Sequence, residues 1–192
     1  LDTAPSVLAG SKELAYHHLD MIGEDPLEPF PAPAAEGADR YAQRVATSYC
    51  QWLEQRQPAI RQILGVLAAP GALPALFNCA AGKDRTGMIA ALLLGVAGVP
   101  YETIVADYAL TALYLDDPHR DHSNPDPMFI PGDQSHKPDS IPLPLYFSSC
   151  LPETMILALE FLDEEYGGVE GYVRKIGLGD AQIQRLRSKF VE

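Results

Sequence analysis

One short unit in the middle of the chain most strongly limits the possible folds. The apolar segment PALFNC, from Pro74 to Cys79, is followed by a loop rich in glycine and charge and then by the apolar stretch TGMIAALLLGVAGVP. The first segment is typical of a buried strand, and the last predicts a helix that ends near Gly98 and Pro100. A strand, a loop and a helix in this order, among further helices, predict an α/β fold with a central sheet flanked by helices.

The rest of the chain predicts mainly helices, with one further strand in LAYHH, which begins at Leu14. The predicted helices are Arg40–Gln57, Pro58–Pro70, Tyr101–Leu115 and two or three more in the C-terminal part between Leu151 and Glu192. A length of 192 residues with 47% hydrophobic content predicts a single domain, residues 1–192. Because only two strands are identified, we expect N-terminal sheet-forming sequence to be absent from this chain and to precede Leu1.

The composition of the chain limits the classes of partner that it can bind. A formal net charge of -12 disfavours nucleic acid, which needs a basic face. The longest apolar run, Met88 to Pro100, is shorter than the ~20 residues of a membrane span. Three widely separated cysteines indicate free thiols and a reducing compartment, so we expect a cytoplasmic protein. Since the chain begins at Leu1 without methionine, secretion stays open.

The loop from Cys79 to Arg85 has the composition of an anion-binding site. Backbone N–H groups here can turn inward as a nest, and the following helix adds its positive N-terminal end. The small side chains of Ala80, Ala81 and Gly82 leave room for a ligand. The guanidinium of Arg85 suits bidentate contact with phosphate oxygens. The Walker A alternative fails, because the chain lacks the upstream glycine that opens that motif and has Asp84 where the motif has Ser or Thr directly after the lysine.

The same surroundings would activate the thiol of Cys79. A free cysteine has a pKa of about 8.5, which a helix terminus and an arginine can lower to about 3.5–7.5. The resulting thiolate could attack a bound phosphate and form a phosphocysteine, and the Thr86 hydroxyl could then help the sulfur to leave. Arginine and backbone donors would neutralise the transferred charge, so neither metal nor cofactor is expected. The alternative is an inert buried cysteine at a strand end.

The string NCAAGKDRTG resembles the signature loop of the cysteine-dependent tyrosine and dual-specificity phosphatase superfamily. Its GKDRTG ending is most similar to an atypical bacterial branch that accepts phosphotyrosine, phosphoserine/threonine and phosphoinositides. HHLDM upstream, and IVADYAL and FLDEEYGGVEGYVRKIGL downstream, also resemble that branch. The resemblance implies a tyrosine-phosphatase-like fold and a phosphorylated protein or phosphoinositide substrate, with inorganic phosphate as product.

The resemblance also assigns roles within the loop. It implies that Cys79 is the nucleophile, Arg85 the phosphate clamp and Thr86 the leaving-group helper. Lys83 and Asp84 match a charged pair typical of the branch, whose lysine is associated with lipid headgroup phosphates. Asn78 departs from the pattern, since most members have histidine there.

The general acid is the least defined part of the predicted site. The branch takes its proton donor from a carboxylate after the upstream strand, where LDMIGEDP offers Asp20, Glu24 and Asp25. We expect Asp25 to be the acid, with Glu24 and Asp20 as alternatives. Asp84, inside the loop, is a second candidate acid or a structural brace.

Two other interpretations of the loop stay open. A non-catalytic phosphate-binding module would keep the loop but lack the acid, and sulfur or arsenate chemistry could use a similar cysteine loop. The polar segment from Asp116 to about Pro144 could act as a flap that supplies Arg120 or Phe129 to the substrate. Its histidines match no metal-binding spacing.

Overall fold

The computed structural model describes residues 13–23, 38–115 and 150–190. Within these ranges the chain forms seven helices, and the structure assigns no strand to the described residues. The helices are α1 (Ala38–Gln55), α2 (Gln57–Leu67), α3 (Asp84–Ala97), α4 (Tyr101–Leu115), α5 (Pro152–Tyr166), α6 (Val169–Lys175) and α7 (Asp180–Phe190). None of these helices combines the length and apolar content that a membrane crossing requires.

Helix α3 lies at the centre of the helical core. It contacts α2, α4, α6 and α7, because apolar residues surround its axis rather than forming one stripe. Its buried residues are Met88, Ile89, Ala91, Leu92, Leu93 and Val96. The helix ends at Gly98, which adopts the left-handed conformation with φ of 83°. Because α3 packs against other helices on several sides, its first turn is held in place and sets the position of the loop that leads into it.

Helix α1 shows the opposite pattern, with one apolar stripe turned inward. Five residues at helical spacing form the stripe, and all are at most 7% exposed: Tyr41, Val45, Tyr49, Trp52 and Leu53. This face packs mainly against α5, and α1 also contacts α2. The structure starts α2 at Gln57, with Pro58 in its first turn as predicted.

Side chains of helix α7 hydrogen-bond the C-terminal ends of two other helices. The Lys189 ammonium donates to the carbonyls of Leu67 and Ala69 at distances of 3.0 and 2.8 Å, at the end of α2. Arg187 Nε donates to the carbonyl of Val96, near the end of α3, at 3.0 Å. Helix C-termini carry unsatisfied carbonyls and partial negative charge, so these cations both cap and neutralise them.

The two predicted strands are not found. Residues 74–79, which begin after a cis peptide bond between Leu73 and Pro74, form no ladder with any other described segment. The same is true of residues 14–18. A strand is defined by the hydrogen bonds of a neighbour, which the apolar content of a segment cannot supply. The central sheet therefore stays a prediction, whereas the helical C-terminal part is confirmed.

Candidate active site

The loop predicted to bind phosphate leads into α3, and its last two residues, Asp84 and Arg85, belong to the first turn of that helix. Lys83 is the residue at the helix N-cap, and Asp84 is the first helical residue. Gly82 has a φ of 66°, a left-handed conformation that favours glycine, and a Cβ added there would meet no atom within 4 Å. The chain can therefore turn sharply beside open space. The positive end of the helix dipole falls on this loop.

Thr86 links the two ends of the loop. The backbone N–H of Cys79 donates to the Thr86 hydroxyl oxygen at 2.9 Å, and the same hydroxyl group hydrogen-bonds the Cys79 thiol. One side chain from the first turn of α3 thus fixes both the backbone and the sulfur of the cysteine. The contact with sulfur is the one that the sequence predicts, whereas the contact with the backbone is not predicted.

The pKa of the Cys79 thiol is lowered. Partial burial is the largest single influence and acts to raise the pKa. Hydrogen bonds from the side chain and backbone of Thr86, the charge of Arg85 and a backbone hydrogen bond from Lys83 act in the opposite direction and together outweigh it. Cys79 is therefore more readily ionised than an ordinary cysteine.

The other two cysteines behave differently. Burial, with a contribution from Glu54, raises the pKa of Cys50 to about 11. Burial likewise raises the pKa of Cys150 to about 11, although the charge of Lys83 opposes the shift. All three thiols are free. The thiolate therefore forms more readily at Cys79 than at the other two positions.

Of the three candidate acids upstream, the structure describes Asp20. Its carboxylate accepts hydrogen bonds from the backbone N–H groups of Ile22 and Gly23 at 2.8 and 3.2 Å. The bond from Ile22 is the main cause of its lowered pKa, to which the charge of Arg85 also contributes. Asp20 thus lies within electrostatic reach of the loop but is held as a carboxylate. Asp25 and Glu24 lie outside the described residues.

The charged pair in the loop is turned toward the protein interior. The Lys83 side chain is 3% exposed and its ammonium lies 3.8 Å from Asp84 Oδ1, whose side chain is 14% exposed. The Tyr49 hydroxyl donates to the same Asp84 oxygen at 2.8 Å. A further 2.8 Å hydrogen bond joins the hydroxyls of Tyr49 and Tyr108. The loop carboxylate therefore has two partners on its inner side.

The hydrogen bonds of these two tyrosines are not predicted from the sequence. Tyr49 comes from α1 and Tyr108 from α4, and their rings meet edge to face with centroids 6.3 Å apart. Periodicity indicates that a residue faces the core, but it does not indicate what a buried hydroxyl will bind. The usable signal is chemical, since a buried tyrosine hydroxyl needs a hydrogen-bond partner.

Two further points concern the predicted flap and a metal site. The predicted flap, with Arg120 and Phe129, lies outside the described residues. Among the residues that the structure does describe, no three His, Cys, Asp or Glu side chains are placed to share a metal ion.

The sequence of the chain is similar to those of known proteins. Residues 2–192 match the Tyrosine phosphatase family. The chain is 32% identical over 187 residues to a tyrosine-protein phosphatase of Nostoc commune. The matched region covers 97% of the chain and 61% of that relative. The chain is also 30% identical over 140 residues to the triple specificity protein phosphatase PtpB of Mycobacterium tuberculosis, covering 68% of the chain and 48% of the relative. The chain thus spans between about half and three-fifths of the length of these two relatives.

Proposed function

Since the chain belongs to the tyrosine phosphatase family, we propose that it hydrolyses phosphomonoesters through a phosphocysteine intermediate on Cys79. One observation carries the proposal. The thiol with a lowered pKa is the one at the N-terminus of α3, close enough to Arg85 to be influenced by its charge. The N-terminus of a helix and an arginine favour a bound phosphate as well as a thiolate.

In the first step the phosphate group of the substrate binds in the loop of residues 79–85. The backbone N–H groups of Ala80, Ala81, Gly82, Lys83 and Asp84 are candidate donors to its oxygens. Arg85 would hold two of them through its guanidinium. The Cys79 thiolate then attacks phosphorus from the side opposite the ester oxygen. A sulfur–phosphorus bond forms as the phosphorus–oxygen bond to the leaving group breaks.

The departing oxygen needs a proton from a general acid. We assign this role to Asp25, with Glu24 as the alternative. The lowered pKa of Asp20 disfavours it, because a carboxylate that accepts two backbone N–H groups has no proton to donate near neutral pH. The contacts of Asp84 with Lys83 and Tyr49 favour its role as a brace over its role as an acid.

In the second step a water molecule attacks the phosphorus of the phosphocysteine. The sulfur–phosphorus bond breaks, the thiolate returns, and inorganic phosphate leaves the loop. The leaving group is now the Cys79 sulfur, and the Thr86 hydroxyl that hydrogen-bonds this sulfur would stabilise its negative charge. A metal ion has no role in this scheme, because Arg85 and the backbone donors carry the charge of the phosphoryl group.

Phosphotyrosine in a protein is the substrate class that family membership favours. Phosphoserine, phosphothreonine and phosphoinositides are further candidates, since one relative is named a triple specificity phosphatase. The position of Lys83 weakens the phosphoinositide case. A side chain 3% exposed and paired with Asp84 is better placed to brace the loop than to bind a headgroup phosphate.

We extend the proposal to the fold and the compartment. Family membership supports a tyrosine-phosphatase-like α/β arrangement in which residues 74–79 form a strand of a central sheet. The side chain of Leu76 in this segment is 87% exposed, an apolar surface that a neighbouring element would cover. A single apolar cluster joins the described helices, which supports one domain over residues 1–192. Three free cysteines support a reducing compartment such as the cytosol.

The proposal is tested by hydrolysis of an aryl phosphate in the presence of a metal chelator. We expect turnover by the wild-type chain, its complete loss in Cys79→Ser, and little change in Cys50→Ser. The second variant is a matched control, because it replaces a thiol whose pKa is raised rather than lowered. Vanadate, an analogue of the phosphorane-like transition state, should inhibit. Wild-type turnover in Cys79→Ser would exclude the mechanism.

The non-catalytic phosphate-binding module remains the second candidate. The observation in its favour is that Asp20, the candidate acid that the structure describes, is held as a carboxylate. It predicts that phosphotyrosine peptides bind but are not hydrolysed. Turnover that depends on Cys79 would exclude it.

A further inference from the structure

Asp84 poses an electrostatic problem for a loop that binds an anion. Its carboxylate belongs to the residue directly before Arg85, in the loop that also carries the Cys79 thiol. A negative charge free to approach that thiol would disfavour both the thiolate and a bound phosphate, because like charges repel strongly where water is partly excluded. A loop with this sequence therefore needs a means of keeping the carboxylate away.

The structure contains such a means on the inner side of the loop. The Tyr49 hydroxyl donates to Asp84 Oδ1 at 2.8 Å, and the Lys83 ammonium lies 3.8 Å from the same oxygen. Tyr49 is fully buried and Lys83 is 3% exposed, so water competes little for either partner. The carboxylate is thus held by one hydroxyl and one cation from the protein interior.

A second tyrosine orients the first. Each hydroxyl has one proton, and Tyr49 gives its proton to Asp84, so the hydrogen bond between the two hydroxyls must be donated by Tyr108. The Cys150 thiol, just before α5, lies beside the Tyr108 hydroxyl. The two hydrogen bonds between the tyrosines and the loop therefore run in one direction, from Tyr108 through Tyr49 to Asp84.

The ring of Tyr108 is also packed tightly against the first turn of α3. A Cβ added at Gly87 would lie 2.9 Å from the Tyr108 Cδ2 atom, which is closer than carbon atoms normally approach. The tyrosine therefore cannot shift toward the loop without disturbing α3. This packing fixes the position from which the hydrogen bond to Tyr49 is made.

We propose that Tyr49 and Tyr108 are positioning residues that hold the Asp84 carboxylate beneath the loop, away from the thiolate of Cys79 and from the bound phosphate. The inference rests on the proposed function for the identity of the anion. It concerns residues that do not touch the substrate. Their hydroxyl groups control where the negative charge of the loop lies.

The test compares Tyr49→Phe and Tyr108→Phe with Tyr172→Phe. Tyr172 is the matched control because it is also fully buried, and its hydroxyl donates to the Leu53 carbonyl at 2.8 Å rather than to the loop. All three substitutions keep the ring and remove a buried hydroxyl together with its hydrogen bonds, which at Tyr49 are the bond to Asp84 and the bond from Tyr108. Two properties are measured besides thermal stability: the pH dependence of alkylation of the Cys79 peptide, followed by mass spectrometry, and the inhibition constant of vanadate.

We expect all three variants to lose some thermal stability. In Tyr49→Phe, the apparent pKa of Cys79 should rise by about one unit and vanadate should bind about tenfold more weakly. Tyr108→Phe should show smaller changes in the same direction, and Tyr172→Phe should show neither. The double variant Tyr49→Phe with Asp84→Asn should recover the wild-type values, because it removes the charge that the tyrosine restrains.

Two results would overturn the inference. One is a Tyr49→Phe variant that loses stability as Tyr172→Phe does and keeps the wild-type pKa of Cys79. The other is a change in Tyr49→Phe that Asp84→Asn fails to reverse. The alkylation measurement needs no turnover, so it tests the positioning role even where the proposed function fails. Failure of the proposed phosphatase function would be seen in a separate measurement, as the absence of Cys79-dependent hydrolysis in the wild-type chain.

Discussion

Thr86 serves two parts of the candidate site with one hydroxyl group. It accepts the Cys79 N–H at 2.9 Å and hydrogen-bonds the thiol whose pKa it lowers. We expect Thr86→Val to raise the pKa of Cys79 and to slow turnover roughly 10- to 100-fold, since hydrogen bonds to charged groups contribute about 1.5–3 kcal/mol. Rapid-quench kinetics should show phosphoenzyme accumulating, because the sulfur leaves more slowly.

Thr86→Ser is the control for this prediction. It keeps the hydroxyl and should retain turnover within about threefold of the wild type, a much smaller loss than the roughly 10- to 100-fold expected of the valine variant. If the serine variant is as slow as the valine variant, the hydroxyl does not account for the effect, and the role assigned to it is wrong.

Asp20 gives a second prediction at the residue scale. The N–H groups of Ile22 and Gly23 stabilise its charged form, so its pKa is lowered and it remains ionised as the pH falls toward that value. We expect Asp20→Asn to keep the alkaline limb of the pH–rate profile, which reports the protonated general acid. By contrast, Asp25→Asn should lose that limb and slow turnover by roughly 10²–10⁴-fold. Loss of the limb in the Asp20 variant alone would reverse the assignment.

At the scale of the elements, the close contact between α3 and α4 sets the position of the loop. A Cβ at Gly87 would lie 2.9 Å from the Tyr108 ring, so we expect Gly87→Ala to lower the free energy of unfolding by about 1–3 kcal/mol. Turnover should fall with it, because the first turn of α3 must move. Chemical denaturation and aryl phosphate hydrolysis measure the two effects.

Gly65→Ala is the matched substitution in α2. Its added Cβ would lie 3.6 Å from the Gln182 side chain, an ordinary contact, and alanine favours helix over glycine by about 1 kcal/mol. We expect this variant to be as stable as the wild type or more so. A Gly87→Ala variant that matches it in both stability and turnover would contradict the tight packing described above.

Helix α7 provides the second element-scale prediction. Lys189 donates to the carbonyls of Leu67 and Ala69, so Lys189→Met should lower the free energy of unfolding by about 1–2 kcal/mol through the loss of these caps. Lys175→Met is the control, since Lys175 is an exposed cation on α6. Equal stability of the two variants in thermal denaturation would show that the caps contribute nothing.

The elements also show what the sequence could and could not predict. Helices α1 to α4 are predicted with small errors at their ends, because periodic apolar residues, Pro58 and Gly98 mark them locally. The strands are not recoverable in the same way. PALFNC has strand composition, but a strand also needs a neighbour, and its own residues do not specify one.

The same distinction applies to the candidate site. Cys79, Arg85 and Thr86 lie within one short stretch, so their spacing and chemistry suffice to predict that they act together. Tyr49 reaches Asp84 from α1, and Tyr108 reaches Tyr49 from α4. Nothing in the local sequence around either tyrosine indicates that contact, which depends on how α1 and α4 pack.

For the molecule as a whole, the central contrast is between an acidic chain and a small cationic loop. The net charge is -12, yet the charge of Arg85 and the hydrogen bonds of Thr86 lower the pKa of Cys79. Arg85 and Thr86 determine the direction of the Cys79 pKa shift because they act over a few ångströms, whereas charges farther away than about 8 Å are screened by salt. The function of this protein would then depend on a few residues that the helical core holds in place.

The most direct test of this account is to quench the reaction with an aryl phosphate on the millisecond timescale and to determine the mass of the Cys79 peptide. We predict a peptide carrying one phosphoryl group on sulfur, absent from Cys79→Ser and more abundant in Thr86→Val. Turnover by the wild-type chain with no phosphate on Cys79 at any quench time would contradict the account.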